Sequence, residues 1–290
     1  AGARTFRGQN DLWRLEGYVA YGFSDKKFKH GFFAQAILDP KIRLLISGGH
    51  RRDIEQLGLS LTATNDLMGR SIASSSVFTV GNNDKLSQIN LTAFTLSAEP
   101  VKNLTMSLGA SYRRVQAALP ELFPLDFVYE PTILGSKNSL NQLDFTARML
   151  YTPGRKVIGY GVDPKPVNED FPRLMVQYVH GQKSLLDSDF NFNRVQLSYT
   201  RPWQIGGIGT LRTSVEAGRT FDPLPLALLH VVPGNQTLFT IYNTFPNLDF
   251  YEFVTDTYVS GHLEHNFNGR LFSRIPFLRA LNLREIIGVR

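Results

Sequence analysis

"NLTMSLGASYR", residues 103–113, decides the fold class of this chain. Leu104, Met106, Leu108, Ala110 and Tyr112 fall on one side of an extended backbone, with Asn103, Thr105, Ser107, Ser111 and Arg113 on the other. Successive side chains of a strand point to opposite faces, so a period of two reads as a β-strand with one apolar face. The pattern recurs in 142–151, where Leu143, Phe145, Ala147, Met149 and Tyr151 oppose Gln142, Asp144, Thr146 and Arg148. In 207–219, Leu211, Val215 and Ala217 oppose Thr210, Arg212, Ser214 and Glu216; in 256–269, Val259, Leu263 and Phe267 oppose Ser260, His262, Glu264, Asn266 and Asn268.

Weaker alternation marks 12–22, 28–38, 42–51, 86–98, 173–181, 192–203 and 281–290, and a further short strand is expected within 57–81. Turn-like "SDKK" (24–27), "LDPK" (38–41) and "QIGG" (204–207) separate neighbouring strands.

A soluble β-sandwich hides the apolar face of such strands, whereas a transmembrane β-barrel turns it to lipid. Length separates the two, since soluble strands average about 5–6 residues and membrane strands need about 9–11. The clean segments here run to about ten residues or more, which favours the barrel. The polar faces carry both signs of charge (Arg14 and Glu16, Asp144 and Arg148, Arg212 and Glu216), and the apolar faces of the four clearest strands carry none. Trp13, Tyr21, Tyr112, Tyr151, Tyr199 and Trp203 lie toward strand ends, where an interfacial girdle belongs. Residues 116–141 and 220–255 are much longer than the turns and are expected on one side; 153–172 and 270–280 are intermediate.

Bulk composition narrows the chemistry. The 290 residues carry 31 Lys and Arg against 25 Asp and Glu, for a net charge of +6. The densest positive group, Lys26, Lys27, Lys29 and His30, is one turn long, so no nucleic-acid partner is expected. With no cysteine, thiol catalysis, disulfides and Cys-ligated zinc are excluded. No breaker-free run of about 18 apolar residues exists to make a transmembrane helix.

The most enzyme-like cluster, "HLEHN" (262–266), places His262 and Glu264 on one face of a strand and His265 on the other, a poor geometry for shared metal ligation. "GGHRRDIEQLGL" (48–59) crowds His50, Arg51, Arg52, Asp53 and Glu55 at a strand end, as a solvated rim or salt-bridge network does. G-x-S-x-G, P-loop, G-x-G-x-x-G and H-E-x-x-H motifs are absent. The sequons at Asn90, Asn103 and Asn235 read as chance. No catalytic residue, metal site or cofactor is expected, and the chain is not expected to be an enzyme.

"LEGYVAYGFSDKKFKHG" (15–31), "DIEQLG" (53–58), "LLHVVPGNQT" (228–237) and "YEFVTDTYVSGHLEHNFNGRLFSRIPFLR" (251–279) resemble a family of uncharacterised bacterial outer-membrane proteins. In that family the barrel, a domain of unknown function, follows a carboxypeptidase-regulatory-like β-sandwich. "REIIGVR" (284–290) does not resemble a strand that closes a barrel, so this resemblance implies a chain incomplete at both ends.

The chain is more distantly similar to BamA/TamA-type outer-membrane assembly barrels, which have sixteen strands and a long loop after the eleventh that folds into the lumen. If "AGARTF" is the tail of strand one, 207–219 is about the eleventh strand and 256–269 about the twelfth. The stretch 224–248, which has no Asp, Glu, Lys or Arg, then falls on that loop. The loop's hallmark Arg-Gly-aromatic tripeptide is absent between 220 and 255.

The expectation is one all-β domain over 1–290, an antiparallel transmembrane β-barrel with about 12–13 strands of a probable 16 in this chain, as the resemblance implies. Segment 220–255 folds into or over the lumen. Its Gly234, Asn235, Gln236 and Glu252 are expected to form a latch with inward-facing Arg212, Glu216 and Glu264. The bacterial outer membrane is the expected location, with outer-membrane lipid and other envelope proteins or lipoproteins as partners. The expected function is protein or lipid assembly and translocation, with a pore or receptor-like channel as the alternative.

Overall fold

The period of two becomes a single large antiparallel sheet. A computed structural model describes residues 1–5, 8, 10–23, 26–55, 85–123, 139–235, 241, 243–246, 248–249 and 251–290. The expected short strand within 57–81 lies outside them. The strands are β1 (Gly2–Arg4), β2 (Trp13–Gly22), β3 (Lys27–Asp39), β4 (Leu44–Glu55), β5 (Ser87–Val101), β6 (Leu104–Ala117) and β7 (Ser139–Tyr151). After the small hairpin of β8 (Val157–Ile158) and β9 (Lys165–Pro166) come β10 (Arg173–Gln182), β11 (Phe192–Gln204) and β12 (Thr210–Thr220). A second hairpin, β13 (His230–Val231) and β14 (Val254–Thr255), precedes β15 (Thr257–Asn266); a short helix, α1 (Pro276–Arg279), precedes β16 (Ile286–Val289).

Leaving out the two hairpins, twelve strands pair in sequence order, β1-β2-β3-β4-β5-β6-β7-β10-β11-β12-β15-β16. Each pairs with its chain neighbour, so the local turns set the register. The Pro40–Arg43 turn is closed by the Lys41 amide donating to Asp39 Oδ1 (2.8 Å). The 205–209 turn uses Gly206 and Gly209, at φ +47° and +111°, and a Cβ on Gly209 would strike the Asn266 carbonyl. The last strand is shorter than the expected 281–290: Asn282 takes φ +50°, and Glu285 Oε1 accepts from the Leu271 amide, which keeps 280–285 in the connection.

Successive turns alternate between two ends of the sheet. Turns 40–43, 102–103 and 205–209 share one end with connections 152–172 and 267–285; β6 ends and β7 begins at the other end, where β12 also ends and β15 begins. Among the described residues no helix is long and apolar enough to cross a membrane, which bears on helices alone.

The two faces differ in an unusual sense. Register places Phe32, Phe94, Leu108, Phe145, Leu197, Val215 and Val259 on one face, and all are exposed. Gln142, Asp144, Gln177, Gln196 and Glu216 share the opposite face and are buried. Val259 is 79 % exposed, whereas Glu216, across the β12–β15 pair on the other face, is 5 % exposed. A water-soluble sheet hides its apolar face, so here the burial order is inverted.

Candidate functional site

Buried polar groups cost free energy unless paired, so the polar face must form a network. Arg113 donates to Asp144 (2.6 Å) across β6–β7, and Arg148 donates to Gln177 Oε1 (2.8 Å) across β7–β10. Gln177 continues to Gln196 (3.1 Å), Gln196 to the Tyr258 hydroxyl (3.0 Å), and that hydroxyl donates to Glu216 (2.8 Å). Asp144 therefore pairs with Arg113 of the next strand and not with Arg148 of its own. In register Arg113 stands opposite Gln142 and Ser111 opposite Asp144, so the ion pair is a diagonal cross-strand contact, which a long arginine side chain spans.

At the opposite flank, Arg51 reaches Glu55 (2.7 Å) and Tyr18 donates to Asp53 (2.6 Å). Arg51, Asp53 and Glu55 are buried, so this cluster is an internal salt-bridge network and not a solvated rim.

The 221–256 connection lies across this face. Ala227 and Leu228 enter an apolar cluster with Ile89, Leu91, Val115, Leu140, Val179 and Phe192, drawn from β5, β6, β7, β10 and β11. Arg194 of β11 donates to the Leu228 carbonyl and, through Nε, to Thr220 Oγ1 (2.8 Å). His230 stacks on Tyr258 of β15, with ring centroids 3.5 Å apart and planes 6° apart. Farther along, Phe245 packs on His262 (4.7 Å), and Arg290 donates to the Thr244 carbonyl (3.0 Å). Tyr251 meets Phe123 (4.8 Å) and the Ser87 hydroxyl (3.5 Å). Burial, then the positive charge of Arg194, lowers the His230 pKa to about 4.

The expected latch residues fall into four groups. Gly234 and Asn235 are buried within the connection: the Asn235 amide donates to the Phe245 carbonyl (3.0 Å), and a Cβ on Gly234 would lie 2.5 Å from the Leu248 carbonyl oxygen. Glu252 is exposed and accepts from the Asp249 amide (2.9 Å), a bond local to the connection. Gln236 lies outside the described residues. On the sheet, Arg212 stands opposite Glu264 in register, Glu264 is 3.9 Å from Arg290, and Glu216 holds Tyr258.

Among the described residues, those that join connection to sheet include Asp222, Leu228, His230, Thr244, Phe245 and Tyr251, met by Asn193, Arg194, Tyr258, Arg290, His262 and Ser87. One signal in the sequence pointed to Leu228, His230, Thr244 and Phe245: the apolar and aromatic composition of 224–248. Among the described residues the connection follows the tenth strand of the sheet; the expected count of about eleven includes the short strand of 57–81, which lies outside them.

A second segment crosses from the other end. Asp163, between β8 and β9, pairs with Arg4 and Arg14 (3.2 Å to the latter), the Val162 amide donates to the Asp11 carbonyl (2.8 Å), and Arg155 reaches Glu99 (3.0 Å). Between the two segments a cavity of about 530 Å³ is lined by Arg173, Arg212, His262, Glu264 and Arg290. Among the described residues no group of three or more His, Asp and Glu is placed to hold a metal ion. His262 and Glu264 share the polar face, while His265 points away and meets the Ile208 carbonyl (3.0 Å).

No curated protein and no solved structure matches the chain. A family model does match, over residues 2–290, and its description is the C-terminal domain of a family of unknown function, DUF5686. The chain belongs to that family.

Proposed function

We propose that this domain is an integral β-barrel of the bacterial outer membrane, with the exposed apolar face toward lipid and the networked polar face toward a lumen. The observation that carries this reading is the inverted burial: Phe94, Leu108 and Val259 exposed, Gln142, Asp144 and Glu216 buried. Strands of 10 to 15 residues, as in β2 and β5, have the length that a tilted crossing needs. In this reading the 221–256 connection is a latch seated within the lumen. An assembly or translocation role in handling client proteins or lipids, with envelope proteins or lipoproteins as partners, is the reading that the distant sequence resemblance to BamA/TamA-type barrels suggests. The proposal includes no enzymatic step.

The test is electrophoretic mobility with and without heating, a property of closed membrane barrels. The folded chain is expected to migrate faster unheated, and deletion of 228–245 to lower the temperature of conversion. Identical migration of heated and unheated wild type would overturn the barrel.

The polar cavity beside Arg173 and Arg212 favours a second reading, a pore or receptor-like channel. Planar bilayers separate the two. Large steady openings support the channel, and a closed barrel supports the latch.

A further inference from the structure

Across β3–β6 the arginines of the exposed face lie in a single row. Cross-strand register aligns His30 of β3, Arg52 of β4, Asn90 of β5, Arg114 of β6 and Asn141 of β7 in a single row on that face. The next row toward the short turns contains Phe32, His50, Thr92, Tyr112 and Leu143. Beyond it come Ala34, Gly48, Phe94, Ala110 and Phe145, then Ala36, Ile46, Leu96, Leu108 and Ala147. Thus a basic and amide row, a mixed row and a wholly apolar field follow one another down the same five strands.

The sign of the charge is uniform. From Phe28 to Ala36, Ile46 to Arg52, Asn90 to Ala98, Met106 to Arg114 and Asn141 to Tyr151, the positions on this face include no Asp or Glu. His30, His50 and Arg114 are exposed, and Arg52 is half-buried. Arg114 contacts the Ser139 hydroxyl at 3.4 Å; among the described residues neither Arg52 nor Arg114 has a carboxylate within ion-pair range. His50 meets Thr92 (2.9 Å) and lies 5.7 Å from the His30 ring. Arg52 and Arg114 are separated by one intervening strand, hence about 10 Å apart at the backbone. That spacing lets two guanidinium groups converge on one multiply charged headgroup. Directly below, Phe94, Leu96 and Leu108 are exposed and offer a surface for acyl chains.

We propose that the His30–Arg52–Asn90–Arg114 row is a docking site for the phosphorylated headgroup of a membrane lipid whose acyl chains lie along Phe94, Leu96 and Leu108. Guanidinium groups bind phosphate through charge-assisted, often bidentate hydrogen bonds, and basic clusters beside an apolar surface recruit anionic lipid. The site rests on the membrane reading and adds to it a ligand class and a location at the long-connection end of β3–β6.

The experiment uses the full chain in neutral detergent, with native mass spectrometry reading bound lipid after addition of phosphatidylglycerol, phosphatidylcholine or inorganic phosphate. Wild type is expected to retain phosphatidylglycerol over phosphatidylcholine, and the double variant Arg52→Gln/Arg114→Gln to retain it roughly tenfold more weakly or worse. Heat-dependent migration of the variant, unchanged from wild type, certifies that it is folded. Arg201→Gln, on the same face at the other end, is expected to leave retention unchanged. Equal retention by wild type and double variant overturns the lipid site while leaving the barrel intact. Full competition by inorganic phosphate overturns it in favour of a bare anion site. A chain that shows no heat-dependent migration and enters no bilayer overturns the membrane reading and the lipid site with it.

Discussion

The imidazole of His230 lies flat on the phenol ring of Tyr258, 3.5 Å away and 6° from parallel, and the same Tyr258 donates its hydroxyl to Glu216. One ring thus serves two structures, the connection that crosses the polar face and the hydrogen-bond chain that runs Arg148–Gln177–Gln196–Tyr258–Glu216. Removing the stack frees the connection without breaking the sheet. His230→Ala is expected to expose the connection to protease, with cleavage after residue 235 rising while the β10–β12 strands stay protected.

The stack also responds to acid. Burial first, and then Arg194, lowers the His230 pKa from 6.5 to about 4, so the folded protein holds this ring neutral over a range in which the unfolded chain protonates it. The contribution is present above about pH 6.5 and declines as pH falls toward 4, because the unfolded state binds the extra proton. Protease sensitivity of the connection is expected to rise across that window. His230→Phe retains a flat ring without a titrating group, and its profile over the window is expected to be flat where wild type slopes.

Gly234 is packed against backbone, not side chains. A Cβ there would stand 2.5 Å from the Leu248 carbonyl oxygen and 3.2 Å from that of Asp249, atoms that shift only if the connection shifts. Gly234→Ala is expected to destabilise the docked connection by about 1–3 kcal/mol. Its protection from protease should fall while global unfolding of the sheet in urea is unchanged.

The Arg113–Asp144 pair tests the polar face itself. The oxygen of Asp144 that faces Arg113 accepts at 2.6 Å, and Asp144 is buried. Asp144→Leu alone leaves a guanidinium uncompensated and is expected to cost about 3–5 kcal/mol in urea unfolding. Replacing both residues with Leu is expected to cost less than the single change, since no unpaired charge remains.

Val215 discriminates between lipid and water outside the sheet. It lies at the middle of β12, exposed on the face opposite Glu216. Val215→Arg at a lipid-facing mid-strand position is expected to cost about 2–4 kcal/mol in vesicles. On a water-facing surface the same change stays within about 0.5 kcal/mol. An unfolding titration in lipid vesicles reads the difference directly.

Much of the sheet was legible in the sequence because strand periodicity is local. Alternation alone put His262 and Glu264 on one face and His265 on the other, and the register agrees. Tyr112 and Tyr199, expected near strand ends, instead sit well inside β6 and β11 and are half-buried, whereas Trp13, Tyr21, Tyr151 and Trp203 are exposed at strand ends. The residues of the candidate site were much less legible. Glu252 looked available for Arg212, but the tight turn at 249–252 lets its carboxylate reach the Asp249 amide more cheaply.

By itself the sequence determined that the chain is all-β, where its strands lie, and which side chains share a face, since these follow from the two-residue repeat of an extended backbone. Only the tertiary structure decided which face is buried and what covers it. Alternation is symmetric with respect to inside and outside, and pairs such as Arg113–Asp144 or His230–Tyr258 join residues 31 and 28 positions apart in sequence. Their meeting depends on how the sheet brings distant strands and connections together, which no local pattern encodes.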